Sequence, residues 1–135
     1  MAEQRIAVIG AGSWGTALVK LLSANSERVG WWVRRAETIK HINAYGHNPD
    51  YISAAQFDPS RLAMDTDIRS VVQSADVLIL AVPSAFLKAI MDLLQPGDLK
   101  GKTVYSAVKG IVPETNQIVG QYLFNEFGVA ENDFG

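Results

Sequence analysis

The sequence predicts an α/β fold: a doubly wound (Rossmann), mostly parallel sheet with helices on both faces. Three observations carry this. Short apolar runs of strand type alternate with helix-patterned segments from end to end, which is how a chain builds a parallel sheet. The first apolar run stops at Gly10, and Gly12 and Gly15 complete a G-x-G-x-x-G spacing that opens a helix pattern. Right-handed crossovers then give the strand order 3-2-1-4-5. The length of 135 residues fits one domain, residues 1–135, able to bury a core.

The elements follow in order. Residues 5–9 form the first strand, apolar on both faces as a central parallel strand requires. Residues 13–24 form the first helix, with Ala17, Leu18, Leu21 and Leu22 on one side, closed by Asn25 and Ser26. Residues 28–33 are the second strand, ended by Arg34 and Arg35. Residues 36–43 read as a helix on Ile39 and Ile42. Residues 44–60 carry Gly46, Asn48-Pro49 and Asp58-Pro59 and read as a long loop, of the kind that serves as a functional segment or lid. A short strand over 61–64 leads to a helix capped by Asp65-Thr66 and carrying Ile68, Val71 and Val72. Residues 75–82 are the most strand-like run. The next helix, 84–94, carries Phe86, Leu87, Ile90, Met91 and Leu94, with Pro83 in its first turn and Ser84 as its cap. Residues 103–107 are the last strand, and 114–127 the last helix, with Ile118, Val119, Tyr122 and Leu123 inward. No linker, repeat or low-complexity segment interrupts the pattern, and residues 132–135 trail off without a clear ending.

Composition limits the function. The chain is 48% hydrophobic and 19% charged with a net charge of −2. That argues against a general nucleic-acid binder, which would be strongly basic. With no cysteine there is neither a disulfide nor a thiolate metal site, as in a reducing compartment. His41 and His47 lack partners at metal-ligand spacing and are read as structural, so no metal is expected. The apolar runs are too short to span a bilayer and the N-terminus lacks a signal-peptide layout. A cytoplasmic protein without membrane insertion is expected.

The glycine loop points to a dinucleotide. Gly10 allows a tight exit from the strand, Gly12 lets a pyrophosphate approach the backbone, and Gly15 lets the helix pack against the sheet. The N–H groups around Ser13 and Trp14 face the phosphates from a helix N-terminus. The competing reading, a strand–turn–helix without ligand, is disfavoured by the context, since strand, loop and helix follow in the required order. At the end of the second strand, where an acidic residue would bind a ribose 2′-OH, stand Arg34 and Arg35. Such a fork suits a 2′-phosphate, so NADP(H) is preferred with NAD(H) admitted; the alternative is an arginine pair that merely solvates a strand end. Val82, Pro83 and Phe86 offer an apolar wall for the cleft, with core packing as the alternative for Phe86. Lys109 follows the last strand and precedes Gly110, a place from which a lysine can polarise a carbonyl or bind a phosphate. A solvated loop lysine is the competing reading, and position alone favours it.

Taken together, Ile6 to Gly15 with Gly-Ser-Trp-Gly-Thr-Ala, Trp32-Val33-Arg34-Arg35, Asn48-Pro49-Asp50-Tyr51, Asp65-Thr66-Asp67, residues 75–84 and Val108-Lys109-Gly110 resemble bacterial-type NAD(P)-dependent glycerol-3-phosphate dehydrogenases. The resemblance runs along the whole chain. It implies reversible reduction of dihydroxyacetone phosphate to sn-glycerol 3-phosphate, a phospholipid precursor. Ser13, Trp14, Arg34, Arg35 and Tyr51 match positions near the dinucleotide, and Phe86 an aromatic that contacts it. Lys109 matches a lysine touching cofactor and substrate, which shifts its reading towards substrate binding and carbonyl polarisation. Val108 departs from the small hydroxyl residue common before Lys-Gly. The resemblance also implies a downstream helical substrate domain that carries the proton-transfer lysine, and it leaves room for a homodimer of the longer protein. The expectation is therefore an N-terminal portion that binds cofactor but is inactive alone. Two rivals remain: another β-hydroxyacid-type dehydrogenase, and a non-catalytic NAD(P)-sensing module.

Overall fold

In the computed structural model, residues 4–25, 28–51, 54–108, 111–130 and 134–135 are described. Five parallel strands form the central sheet: β1 (Ile6–Ile9), β2 (Val29–Trp32), β3 (Leu62–Asp65), β4 (Val77–Leu80) and β5 (Thr103–Ser106). Their order is β3-β2-β1-β4-β5, the expected one. β1 lies between β2 and β4, with Val8 opposite Trp31 on one side and Ile79 on the other.

Alternation along the strands builds the two layers of core. Val8, Trp31, Val33 and Leu62 face one side, where they pack with Val19 of α1 (Ser13–Asn25) and Ile42 of α2 (Ala36–Tyr45). Ala7, Ile9, Leu78, Leu80 and Val104 face the other. There they meet α3 (Ile68–Gln73), α4 (Ser84–Met91) and α5 (Val119–Phe127). Each fully buried Leu or Val side chain contributes about 1.5–3 kcal/mol of transfer free energy, so the sheet is held from both faces. Two ion pairs fix its margins. Arg5 meets Asp76 at 3.4 Å at the entry to β1 and β4, and Arg69 of α3 meets Asp98 at 2.9 Å.

Several local expectations are corrected. The buried side of α1 runs through Gly15, Thr16, Val19 and Ser23, and Leu21 is exposed, because Gly15 sets the helix phase by packing against the Gly10 carbonyl. α2 continues to Tyr45 and stops at Gly46, whose φ of 76° takes the left-handed cap that other residues resist. The cap of α3 is Asp67, accepting from the Arg69 N–H at 3.1 Å, while Asp65 accepts from the Asp67 N–H at 2.9 Å. Pro83 occupies the cap position of α4 and no side chain caps it, so Ser84 is the first helical residue.

The last helix starts later than expected. Before it, β6 (Ile111–Val112) and β7 (Gln117–Ile118) form an antiparallel hairpin around Asn116, which has φ 54°. Val119, Tyr122, Leu123 and Phe127 are buried, but Ile118 lies on β7 and is exposed. Burial pushes the Tyr122 hydroxyl up to about 12. Phe134 pairs in parallel with Val104, and Gly135 exchanges backbone bonds with Val104 and Ser106, so these residues extend the sheet beyond β5. Ser26, Asn132 and Asp133 lie outside the described residues. No helix of the described residues is long and apolar enough to cross a membrane.

Candidate functional site

A cleft of about 530 Å³ opens at the carboxyl ends of β1, β2 and β4. Central strands that end together at a change in winding direction leave such a crevice, because the next connections depart to opposite faces. Gly10 and Gly12 form its floor. Val33, Arg34 and Arg35 stand at the end of β2, and Val82, Pro83 and Phe86 at the start of α4. Tyr51 closes a third side. Phe86 is 59% exposed, so it belongs to the cleft wall and not to the core.

The glycine loop meets a demanding geometry. Gly10 has φ 126°, and a Cβ there would overlap the Ala81 carbonyl; one on Gly15 would overlap the Gly10 carbonyl. Nothing lies within 4 Å of the Cβ position of Gly12, which leaves its surface open to the cleft. All three successive carbonyls point into the protein. The Trp31 indole Nε1–H donates to Gly10 O at 2.8 Å. Asn48 Nδ2 donates to Ala11 O at 3.1 Å, and the Thr16 N–H donates to Gly12 O at 2.9 Å. The N–H groups of Ala11, Gly12, Ser13, Trp14 and Gly15 have no partner among the described residues. A row of free amide donors at the start of α1, with the carbonyls turned away, is a cradle for an anion.

The residues read from the sequence divide in the structure. Gly10, Gly12, Arg34, Arg35, Tyr51, Pro83 and Phe86 share the cleft. Ser13 and Trp14 are exposed on the first turn of α1, and their side chains are not among those that line the cleft. Gly15 is buried behind the loop. Arg34 and Arg35 are exposed and have no ion-pair partner among the described residues. Lys109 and Gly110 lie outside the described residues. Just before them, Ser106 Oγ accepts from the Val108 N–H at 3.0 Å, fixing the exit of β5.

Asn48, Thr16 and Trp31 are the residues that the sequence reading missed. Asn48 is 1% exposed and Thr16 is fully buried, unusual for polar side chains in so small a domain. His41 and His47 meet edge to face with ring centroids 4.7 Å apart, and His41 Nε2 is buried without a partner among the described residues. Among the described residues no group of three or more His, Cys, Asp or Glu is placed to hold a metal ion.

Comparison with known proteins follows the same outline. The family model described as NAD-dependent glycerol-3-phosphate dehydrogenase N-terminus matches residues 5–133. The chain is 36% identical over 126 residues to glycerol-3-phosphate dehydrogenase [NAD(P)+] 2 of Salinibacter ruber, covering 93% of this chain and 36% of the relative. It is 34% identical over 112 residues to glycerol-3-phosphate dehydrogenase [NAD(P)+] of Bacillus subtilis, covering 83% of this chain and 32% of that one. The chain thus spans about a third of the length of the curated relatives it matches. Among solved structures, glycerol-3-phosphate dehydrogenase of Coxiella burnetii superposes with a TM-score of 0.77 at 22% identity, over 93% of this chain and 38% of that one. A GDP-mannose dehydrogenase of Pseudomonas aeruginosa gives 0.74 at 21% identity, over 97% of this chain and 34% of that one, a likeness of fold.

Proposed function

This chain belongs to the NAD-dependent glycerol-3-phosphate dehydrogenase family, whose N-terminal part it matches, and from that premise we propose that it holds NAD(P)(H) for the interconversion of dihydroxyacetone phosphate and sn-glycerol 3-phosphate. The observation that carries the reading is the row of N–H groups from Ala11 to Gly15 that have no partner among the described residues, with the carbonyls behind them tied down. The donor set fits a dinucleotide diphosphate. It is anionic, it needs backbone approach at Gly12, and it sits where the helix dipole favours negative charge. When bound, the nicotinamide supplies or accepts the hydride.

The chain's own residues bind and orient. Arg34 and Arg35 meet a 2′-phosphate at the end of β2, which makes NADP(H) the preferred form. Val82, Pro83 and Phe86 exclude water along the apolar side of the cleft. Lys109, in sequence shortly after the end of β5 at Ser106, holds the substrate carbonyl and polarises it with its ammonium group. The product is a precursor for phospholipid synthesis in the cytoplasm. These 135 residues bind the dinucleotide without turning substrate over.

Titration of the chain with NADPH and NADH, followed by nicotinamide fluorescence, tests the reading. Saturable binding with Kd near the micromolar range, about −8 kcal/mol, supports it, and no binding at millimolar cofactor refutes it. Steady oxidation of NADPH by the 135 residues on addition of dihydroxyacetone phosphate overturns the statement that they do not turn over.

A further inference from the structure

Asn48 uses its whole hydrogen-bonding capacity on one junction. Its Nδ2 donates to Ala11 O at 3.1 Å and to Thr16 Oγ1 at 3.0 Å. Its Oδ1 accepts from the Asp50 N–H at 2.9 Å and the Tyr51 N–H at 3.3 Å. Two amide donors face the oxygen and a carbonyl faces the nitrogen, so the partners themselves dictate the orientation of the amide. Thr16 Oγ1 also donates to Ala11 O, at 3.4 Å. The side chain therefore joins the segment after α2 to the glycine loop, 37 residues away in sequence, inside a site that excludes solvent.

We propose that Asn48 is a positioning residue for the dinucleotide: it turns the Ala11 carbonyl away from the cleft and docks the segment that carries Tyr51 onto the phosphate-binding loop. This rests on the dinucleotide reading above. Without the Nδ2 donor the Ala11 carbonyl keeps only the longer bond from Thr16 Oγ1, and rotation of the loosened peptide would aim that carbonyl, and not an N–H, at an incoming phosphate. The Oδ1 contacts do the second job, since they hold Asp50 and Tyr51 in the turn that lines the cleft. A buried amide that satisfied only its own loop would need no bond to the glycine loop.

The test is NADPH affinity of the unsubstituted chain, Asn48→Ala and Asn48→Asp, with circular dichroism to confirm folding. Asn48→Asp keeps the shape and the acceptor but sets a carboxylate oxygen against Ala11 O. Both variants are expected to weaken NADPH about 10-fold or more, from the loss of buried hydrogen bonds. Thr16→Val, equal in volume but without the hydroxyl, is expected to weaken it about 3-fold, and Thr16→Ser to recover most of that loss. Should either Asn48 variant fail to fold, the Thr16 pair decides: a loss with Val that Ser recovers supports the proposal, and no loss overturns it. Kd values within twofold of the parent in folded Asn48 variants overturn it too, even where thermal stability falls, because a purely structural amide would lower stability alone. If the unsubstituted chain binds neither NADPH nor NADH, the dinucleotide reading fails first and takes this one with it.

Discussion

At the β1 end of the cleft the polar contacts are backbone amides, and the carbonyls behind them are held by Trp31, Asn48 and Thr16. At the β2 end they are the guanidinium groups of two exposed arginines, without ion-pair partners among the described residues. The first region is ordered before a ligand arrives. The second must be ordered by the ligand, at a cost of up to about 2 kcal/mol of rotamer entropy for each arginine. On the proposed reading, the fixed amide cradle would bind what every dinucleotide shares, and the free side chains would judge the feature that differs. Damage to the cradle should therefore be near all-or-none, and damage to the arginine pair graded and selective.

The largest effect should come from Gly15→Ala. Its Cβ has no room beside the Gly10 carbonyl, and neither partner can swing aside because both are backbone. A loss of about 3 kcal/mol of stability in urea unfolding is expected, with no measurable NADPH binding. Trp31→Phe is milder. It keeps most of the buried ring but leaves Gly10 O without its indole donor, which should cost about 1–3 kcal/mol. Arg34→Ala should spare stability and raise the Kd for NADPH about 10-fold while moving NADH less than 2-fold. Equal weakening of both cofactors would remove the 2′-phosphate from the account of this end of the cleft.

The smallest effect tests the frame outside both regions. A hydrogen bond from the Arg69 guanidinium, with help from the Gln95 N–H, holds the Asp98 carboxyl below its usual range. A carboxyl depressed in the folded state stabilises it above the unfolded pKa of about 4 and loses that contribution as pH falls through the folded-state value. Asp98→Asn should therefore lower stability slightly at pH 7 and flatten its decline on the acid side, measured by urea midpoints across pH. NADPH affinity at pH 7 should stay as it was, since Asp98 is not among the residues that line the cleft.

The two regions were also unequally legible in the sequence. Strand order and cradle could be read because glycine spacing and apolar periodicity are local signals with few alternative meanings. Arg34 and Arg35 could be placed because the end of β2 is a fixed topological position. Asn48 was hidden in an Asn-Pro pair, which marks a turn in any fold and says nothing of a partner at Ala11. Leu21 has the spacing of a core residue but is exposed, because the phase of α1 is set by Gly15 against the Gly10 carbonyl, a contact that helical periodicity does not report. Residues 114–118 fall within the expected last helix, 114–127, but form the turn and second strand of the β6–β7 hairpin, whose pairing is likewise invisible to helical periodicity. Lys109, the residue on which the chemistry of the proposal turns, rests on sequence position and family resemblance, and lies outside the described residues.

The pairing of β1 with β4 has a consequence for how the molecule assembles. It brings Arg5 to Asp76, 71 residues apart, and it is this late-arriving strand that sets the Ala81 carbonyl against Gly10. Closing so long a stretch of chain is slow compared with forming α1 or pairing β1 with β2. The glycine loop, encoded near the start of the chain, thus gets its second wall only when the sheet is nearly complete. We expect binding competence to be among the last properties recovered on refolding, with NADPH fluorescence lagging behind far-ultraviolet dichroism; simultaneous recovery of the two signals would argue against it.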